Sequence, residues 1–276
     1  MQYSISGDDL GREGLSMDID VIYNEDCLIG MDRIPDKSVD MILCDLPYGT
    51  THNKWDSVIP LDRLWEQYRR VIKEKGVVVP TGQIPFTIDL ANRNREWLRY
   101  EWIWEKSYPT GFLNANRMPM KCHENVLVFY ETLGTYNPQG TTIGRKQPTG
   151  SHSGNYGDYK VRYNGNSDES ECNNPYVDYV GTKNYPRDVI TFSKEKTDHP
   201  TQKPVSLFEY LIRTYTNEGE TVLDNCMGSG TTAVACIRSG RHFIGFETNE
   251  EYCKLAQTRI NSTVKTVQKK SLEDWF

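Results

Sequence analysis

Asp45, Pro47 and Tyr48 stand where the apolar run Val39 to Cys44 gives way to a turn, and the segment Asp224 to Thr232 follows a second run, Thr221-Val222-Leu223. In an open α/β sheet, ligands bind at the carboxyl ends of strands, so both segments belong at one site. A carboxylate, a proline-fixed backbone carbonyl and an aromatic ring suit a planar base that carries an exocyclic amine. Such an amine is a weak nucleophile because its lone pair is delocalised into the ring. Two acceptors aimed at its hydrogens, the Asp45 carboxylate and the Pro47 carbonyl, favour a pyramidal nitrogen with a directed lone pair. Methyl transfer to that nitrogen is then catalysed by positioning and electrostatics. Tyr48 stacks on the base, and Pro47 fixes the backbone that aims the carbonyl. A base inside a duplex cannot reach this arrangement and must be flipped out. The bland alternative is an ordinary strand-to-loop turn; the second segment is what argues against it.

That second segment turns through Gly228-Ser229-Gly230 and then becomes helix-forming from Thr231. A glycine turn lets backbone approach a nucleoside-like ligand closely. Asp224, Cys226, Gly228, Gly230 and Thr231 are therefore candidate cofactor-binding residues. Glu247 ends the next strand candidate 19 residues after Gly228, close to the ~20 expected of an acid that receives ribose hydroxyls. Its structural alternative is a helix cap. The full dinucleotide pattern is absent, since Ala233 occupies the position of its third glycine. Asp26 ends a further strand candidate; it either accepts from the cofactor's adenine amine or caps the helix beginning at Cys27, and the two roles are compatible.

The elements that must position these groups alternate in type. Strands are expected at 20–23, 39–44, 77–79, 100–104, 126–130, 221–223 and 242–246. Helices are expected at 27–34, 61–74, 205–216, 231–239 and 250–261, each from apolar residues at three- and four-residue spacing. Trp102 and Trp104 read as sheet core. Strands alternating with helices predict a mostly parallel α/β sheet with helices on both faces. Residues 134–198 hold eight glycines, from Gly134 to Gly181, and no sustained periodicity, so they read as an irregular insertion that contacts substrate.

Length permits one large core, and no apolar run reaches the roughly 18 residues of a membrane span. The first eighteen residues carry Asp8, Asp9, Glu13 and Asp18 and lack the pattern of a signal peptide. Seven cysteines with no C-x-x-C pair point to reduced thiols, a cytoplasmic location and no metal. The chain carries a net charge of −6, yet residues 138–165 hold Arg145, Lys146, Lys160 and Arg162 against Asp158 alone. Those four cations are the candidate DNA contacts.

Asp45-Leu46-Pro47-Tyr48 resembles the D/N/S-P-P-Y/F motif of DNA amino-methyltransferases, and Asp224 to Gly230 resembles their S-adenosylmethionine motif. His199-Pro200-Thr201-Gln202-Lys203-Pro204 is similar to their H-P-x-x-K-P segment. The catalytic motif precedes the cofactor motif, as in the β class. The resemblance implies S-adenosyl-L-methionine as donor, a Rossmann-like methyltransferase sheet, and double-stranded DNA as substrate. It also implies that Lys203 and Pro204 flank the cofactor, that Asp45 lies against it, and that Glu247 holds its ribose. The expected organisation is an N-terminal arm at 1–19, a catalytic half at 20–133, a target-recognition region at 134–198 and a cofactor half at 199–276. An acid at position 45 favours adenine N6; cytosine N4 is the alternative, followed by a non-catalytic DNA-binding regulator of the same fold. RNA and protein-glutamine methyltransferases place the two motifs in the opposite order. A homodimer and a cognate restriction enzyme are further partners that such an enzyme admits.

Overall fold

The computed structural model describes residues 17–49, 57–139, 186–193 and 202–273. Its eight described strands are β1 (Val21–Tyr23), β2 (Val39–Asp45), β3 (Ile72–Gly82), β4 (Leu98–Thr110), β5 (Lys121–Phe129), β6 (Val189–Phe192), β7 (Thr221–Asp224) and β8 (His242–Phe246). They form a single sheet in the order β1-β8-β7-β2-β3-β5-β4-β6. Among them β5 alone runs against its neighbours, and the other contacts are parallel.

Burial on both sides explains why β2 is almost continuously apolar. Val39, Ile42 and Cys44 pack on one face with α1 (Cys27–Met31), α2 (Leu61–Val71) and α3 (Phe86–Arg93). Met41 and Leu43 pack on the other with α4 (Val205–Tyr215), α5 (Thr231–Ser239) and α6 (Glu250–Glu273). The chain leaves β7 through α5 for β8, toward one edge, and leaves β2 through α2 for β3, toward the other. β7 and β2 are neighbours, pairing Val222 with Met41 and Leu223 with Ile42. Between their carboxyl ends lies the point where strand order reverses, which is where such sheets open a crevice.

Several expected boundaries move. Residues 72–74 are strand rather than helix, because Ile72 is extended at ψ 137° and pairs with Val39. The α3 helix was not anticipated; eight residues give periodicity little to work on. β4 and β5 extend well beyond 100–104 and 126–130, and α6 runs on to Glu273. The region 134–198 contributes to the sheet after all, since Val189–Phe192 pairs with Ile103–Lys106. At its other end, Asn137 donates its backbone N–H to the Thr214 carbonyl at 2.7 Å and so belongs with α4. Residues 138–186 form a separate unit, most of which lies outside the described residues. Arg145, Lys146, Lys160 and Arg162 all fall there.

Gly230 begins α5 with φ +85°, and a Cβ placed on it would lie 2.8 Å from the Ala256 Cβ of α6. Gly219 has a similar φ of +81° but open space around it. Gly219→Ala should therefore cost about 1–2 kcal/mol of left-handed strain, while Gly230→Ala adds an overpacking cost of about 1–3 kcal/mol. Urea unfolding of the two variants measures the difference; equal losses would show that α6 gives way freely.

Candidate active site

Asp45 is the last residue of β2, and its register partner on β3 is Thr81. The Thr81 hydroxyl and the Tyr48 hydroxyl each donate to Asp45 Oδ1 at 2.6 Å. Lys203 Nζ donates to Oδ2, also at 2.6 Å. Burial, reinforced by the charge of Asp45, pushes the Tyr48 phenol well up, so it stays neutral and can donate. Its ring stacks on Phe86, the first residue of α3, with centroids 5.3 Å apart and planes 30° apart.

Lys203 also faces Glu124 Oε2 at 3.1 Å, and Glu124 Oε1 meets Lys106 Nζ at 2.5 Å. The result is a row of alternating charge, Asp45–Lys203–Glu124–Lys106. The last three side chains are buried. Burial alone would lower the Lys203 ammonium, but Asp45, Tyr48 and Glu124 outweigh it and hold the group well above its ordinary value. Burial likewise opposes ionisation of Glu124, and the two lysines overcome it. Lys106 lies 5.7 Å from the centre of the Trp104 ring.

Across the crevice Asp224 ends β7, fully buried. It accepts from the Cys226 N–H at 3.0 Å and from the Thr232 hydroxyl, which ties the glycine turn to the first turn of α5. Burial pushes its carboxyl up to about 7 against the lowering effect of those bonds. The Gly228 N–H donates to Glu247 Oε2 and the Asn249 N–H to Oε1, both at 2.8 Å. An ionised carboxylate offers about four acceptor positions, so hydroxyl groups can still be received there. The cap of α6 is Asn249, whose side chain accepts from the N–H groups of Glu251 and Tyr252. Asp26 does cap α1, accepting from the Leu28 N–H at 2.8 Å. Beneath the turn, Asn225 accepts from the Tyr68 hydroxyl at 2.5 Å and points its amide nitrogen at the Cys27 and Cys226 thiols.

One cavity of about 720 Å³ joins the two strand ends. Asp26, Asp45, Pro47, Tyr48, Lys203, Asp224, Cys226, Gly228, Thr231 and Glu247 line it. Pro204 and Gly230 do not. Pro204 caps α4 in an extended conformation, and Gly230 faces α6. Six carboxylates (Glu25, Asp26, Asp45, Glu124, Asp224 and Glu247) and two ammonium groups line the walls. That balance suits a cationic ligand.

Sequence reasoning missed Thr81, Phe86 and Lys106, and it treated Trp104 as core alone although, like Glu124, it also lines the cavity. The signal for Lys106 was present: it continues the inward period-two series Trp102, Trp104, Lys106 along β4. Thr81 is an ordinary strand residue until the β2–β3 register places it opposite Asp45.

Strand order, the single reversed strand and the ligand crevice at the switch point define an α/β methyltransferase. The DNA methylase family matches residues 39–258, and the chain belongs to that family. The chain is 31% identical over 258 residues to the DNA adenine methyltransferase YhdJ of Escherichia coli (strain K12), covering 87% of this chain and 82% of that protein. Identity to the type II methyltransferase M1.MboII of Moraxella bovis is 26% over 273 residues, covering 89% and 98%. In fold it is similar to the M1.HpyAVI–SAM complex (TM-score 0.57, 24% identity, 86% and 98% covered). It is also similar in fold to PvuII DNA methyltransferase (cytosine-N4-specific) (TM-score 0.63, 15% identity, 86% and 85% covered).

Glu124→Gln leaves two buried ammonium groups against one carboxylate. It should cost about 3 kcal/mol or more, as breaking a buried ion pair does. Adding Lys106→Met restores the balance and should return part of that loss, a coupling that a double-mutant cycle in urea measures. Strictly additive losses would mean that the row is not a coupled unit.

Proposed function

We propose that this DNA methylase transfers the methyl group of S-adenosyl-L-methionine to the N6 amine of adenine in double-stranded DNA. The reading rests on Asp45, a carboxylate fixed by three donors at the end of β2 inside a cavity that continues to the glycine turn. The similarity to a protein named as an adenine methyltransferase supports adenine over cytosine.

The residues present fit the proposed donor. The excess of carboxylates in the cavity suits its sulfonium charge, and Glu247 and Asp26 offer acceptors to its ribose and adenine. When bound, the donor supplies an electrophilic methyl group. The protein supplies the rest. Asp45 and the Pro47 carbonyl accept the two amine hydrogens, turning the nitrogen lone pair out of the ring plane. The base stacks on Tyr48, whose ring is backed by Phe86. Asp45 receives the proton that the nitrogen gives up after methylation. Lys203 grips Oδ2, so the carboxylate does not swing when the base enters. These roles are electrostatic and positional, the terms expected to dominate when no covalent step involves the protein. Arg145, Lys146, Lys160 and Arg162, in the region proposed to read the target sequence, neutralise phosphates.

Incubation with methyl-labelled S-adenosylmethionine and mixed-sequence duplex DNA, followed by nucleoside analysis, tests the proposal. The expected product is labelled N6-methyldeoxyadenosine. Label confined to N4-methyldeoxycytidine would overturn the choice of base, and label found only in RNA or protein would overturn the choice of substrate.

A further inference from the structure

Every residue from Ser107 to His123 is exposed. Within this stretch lie five large apolar side chains: Tyr108 (79% exposed), Phe112 (79%), Leu113 (97%), Met118 (51%) and Met120 (40%). A cluster of this kind on an otherwise ordinary surface marks a binding face. Its place in the fold says what it meets. β5 pairs with β3 only as far as Asn125, and β4 pairs with β6 only as far as Lys106. Beyond those positions the two strands leave the sheet as a bare hairpin, with Thr110 paired to Lys121 and a 3-10 turn at Phe112–Asn114. The departure point is the wall of the cavity. Lys106 and Glu124 belong to the buried charge row, Thr110 and Gln83 line the cavity, and Lys121 Nζ donates to Gln83 Oε1 at 3.2 Å.

Charge selects the partner. Residues 106–123 contain Lys106, Arg117 and Lys121 and no acid, within a chain of net charge −6. The charges that the tip exposes, Arg117 and Lys121, are both cations. Apolar side chains flanked by exposed cations beside an active-site cavity match a duplex, whose phosphates run along either side of a stacked, apolar interior.

We propose that Phe112 and Leu113 are a wedge that enters the duplex at the step vacated by the target base, while Arg117 and Lys121 lie on the adjacent phosphates. This inference rests on the proposed function, in which the base is flipped into the cavity. Flipping costs unstacking and unpairing, and a side chain that fills the vacated step offsets that cost and delays the return of the base. Phe112 offers a flat ring on which a neighbouring base stacks; Leu113, beside it on the 3-10 turn, fills the remaining gap.

The test uses the full-length chain, S-adenosylmethionine and duplex oligonucleotides carrying the site mapped from modified DNA. Phe112→Ala and Leu113→Ala alter residues that pack on little in the free protein, so both variants should melt with the wild type. On fully paired duplex each should lose roughly tenfold or more in kcat/KM. With an abasic position opposite the target base, which removes the pairing cost, the deficit should shrink to a few-fold at most. In parallel, 2-aminopurine at the target position should brighten with wild type and much less with either variant. Three outcomes overturn the wedge: variants as active as wild type on paired duplex, equal losses on paired and abasic duplexes, or a deficit that follows dissociation of a dimer in sedimentation. Failure of the wild type to methylate any DNA would instead overturn the function on which the wedge depends.

Discussion

Burying charge beside the carboxyl end of β2 is the constraint around which this molecule is arranged. Lys106 and Glu124 come from β4 and β5, Lys203 from the segment before α4, and Asp45 from the end of β2. Each of the three buried groups is costly in isolation and tolerable only beside the next. The row is neutral as a whole, and that neutrality depends on four separate segments of the chain meeting in register. A slip of one residue in β4 would turn Lys106 from the interior to the exterior and leave Glu124 facing Lys203 alone. The fold therefore fixes Asp45 to within a hydrogen bond, which is the tolerance that catalysis by positioning demands.

The second half of the site is built by a different device. Among the described residues, no row of charges lies under the glycine turn. Backbone N–H groups and short side chains hold one another there: Asp224 with Cys226 and Thr232, Glu247 with Gly228 and Asn249. Such bonds leave the backbone exposed to a ligand and the carboxylate of Glu247 only partly used. The two devices meet because β2 and β7 are neighbours at the point where strand order reverses. On the proposed function, binding the donor and activating the acceptor are separable tasks assigned to adjoining strand ends.

Much of this was legible in the amino-acid sequence, for identifiable reasons. Strand ends followed by Asp45 and by Asp224 announced themselves because buried parallel strands are runs of apolar residues and the turns that follow them are polar. The roles written into a turn, such as Asp26 on the N–H of Leu28 or Gly230 at positive φ, depend on local geometry and leave local traces. Thr81 left none that a local reading would weigh, because its meaning comes from the β2–β3 register, and the period-two trace at Lys106 acquires its meaning only when the β4–β5 register sets it near Glu124. The hairpin was overlooked for a related reason. Its cations, Lys106, Arg117 and Lys121, fall between the expected strands 100–104 and 126–130, and the basic stretch at 138–165 drew attention to a region chosen for its irregularity. Pro204 entered the candidate set as the neighbour of Lys203 in a motif-like segment; in the structure it caps α4, and Lys203 lines the cavity.

The separation of tasks between the two strand ends is the central claim, and one paired measurement tests it: equilibrium binding of S-adenosylmethionine beside single-turnover methylation of duplex DNA, for Asp45→Asn and Gly228→Val. Asp45→Asn should bind the donor within a few-fold of wild type and lose roughly a hundredfold or more in methyl transfer. Gly228→Val should lose donor binding first, because the N–H that holds Glu247 sits at φ +52°, a conformation that valine resists. If Asp45→Asn forfeits donor binding as fully as Gly228→Val does, or methylates at near wild-type rate, the account is contradicted.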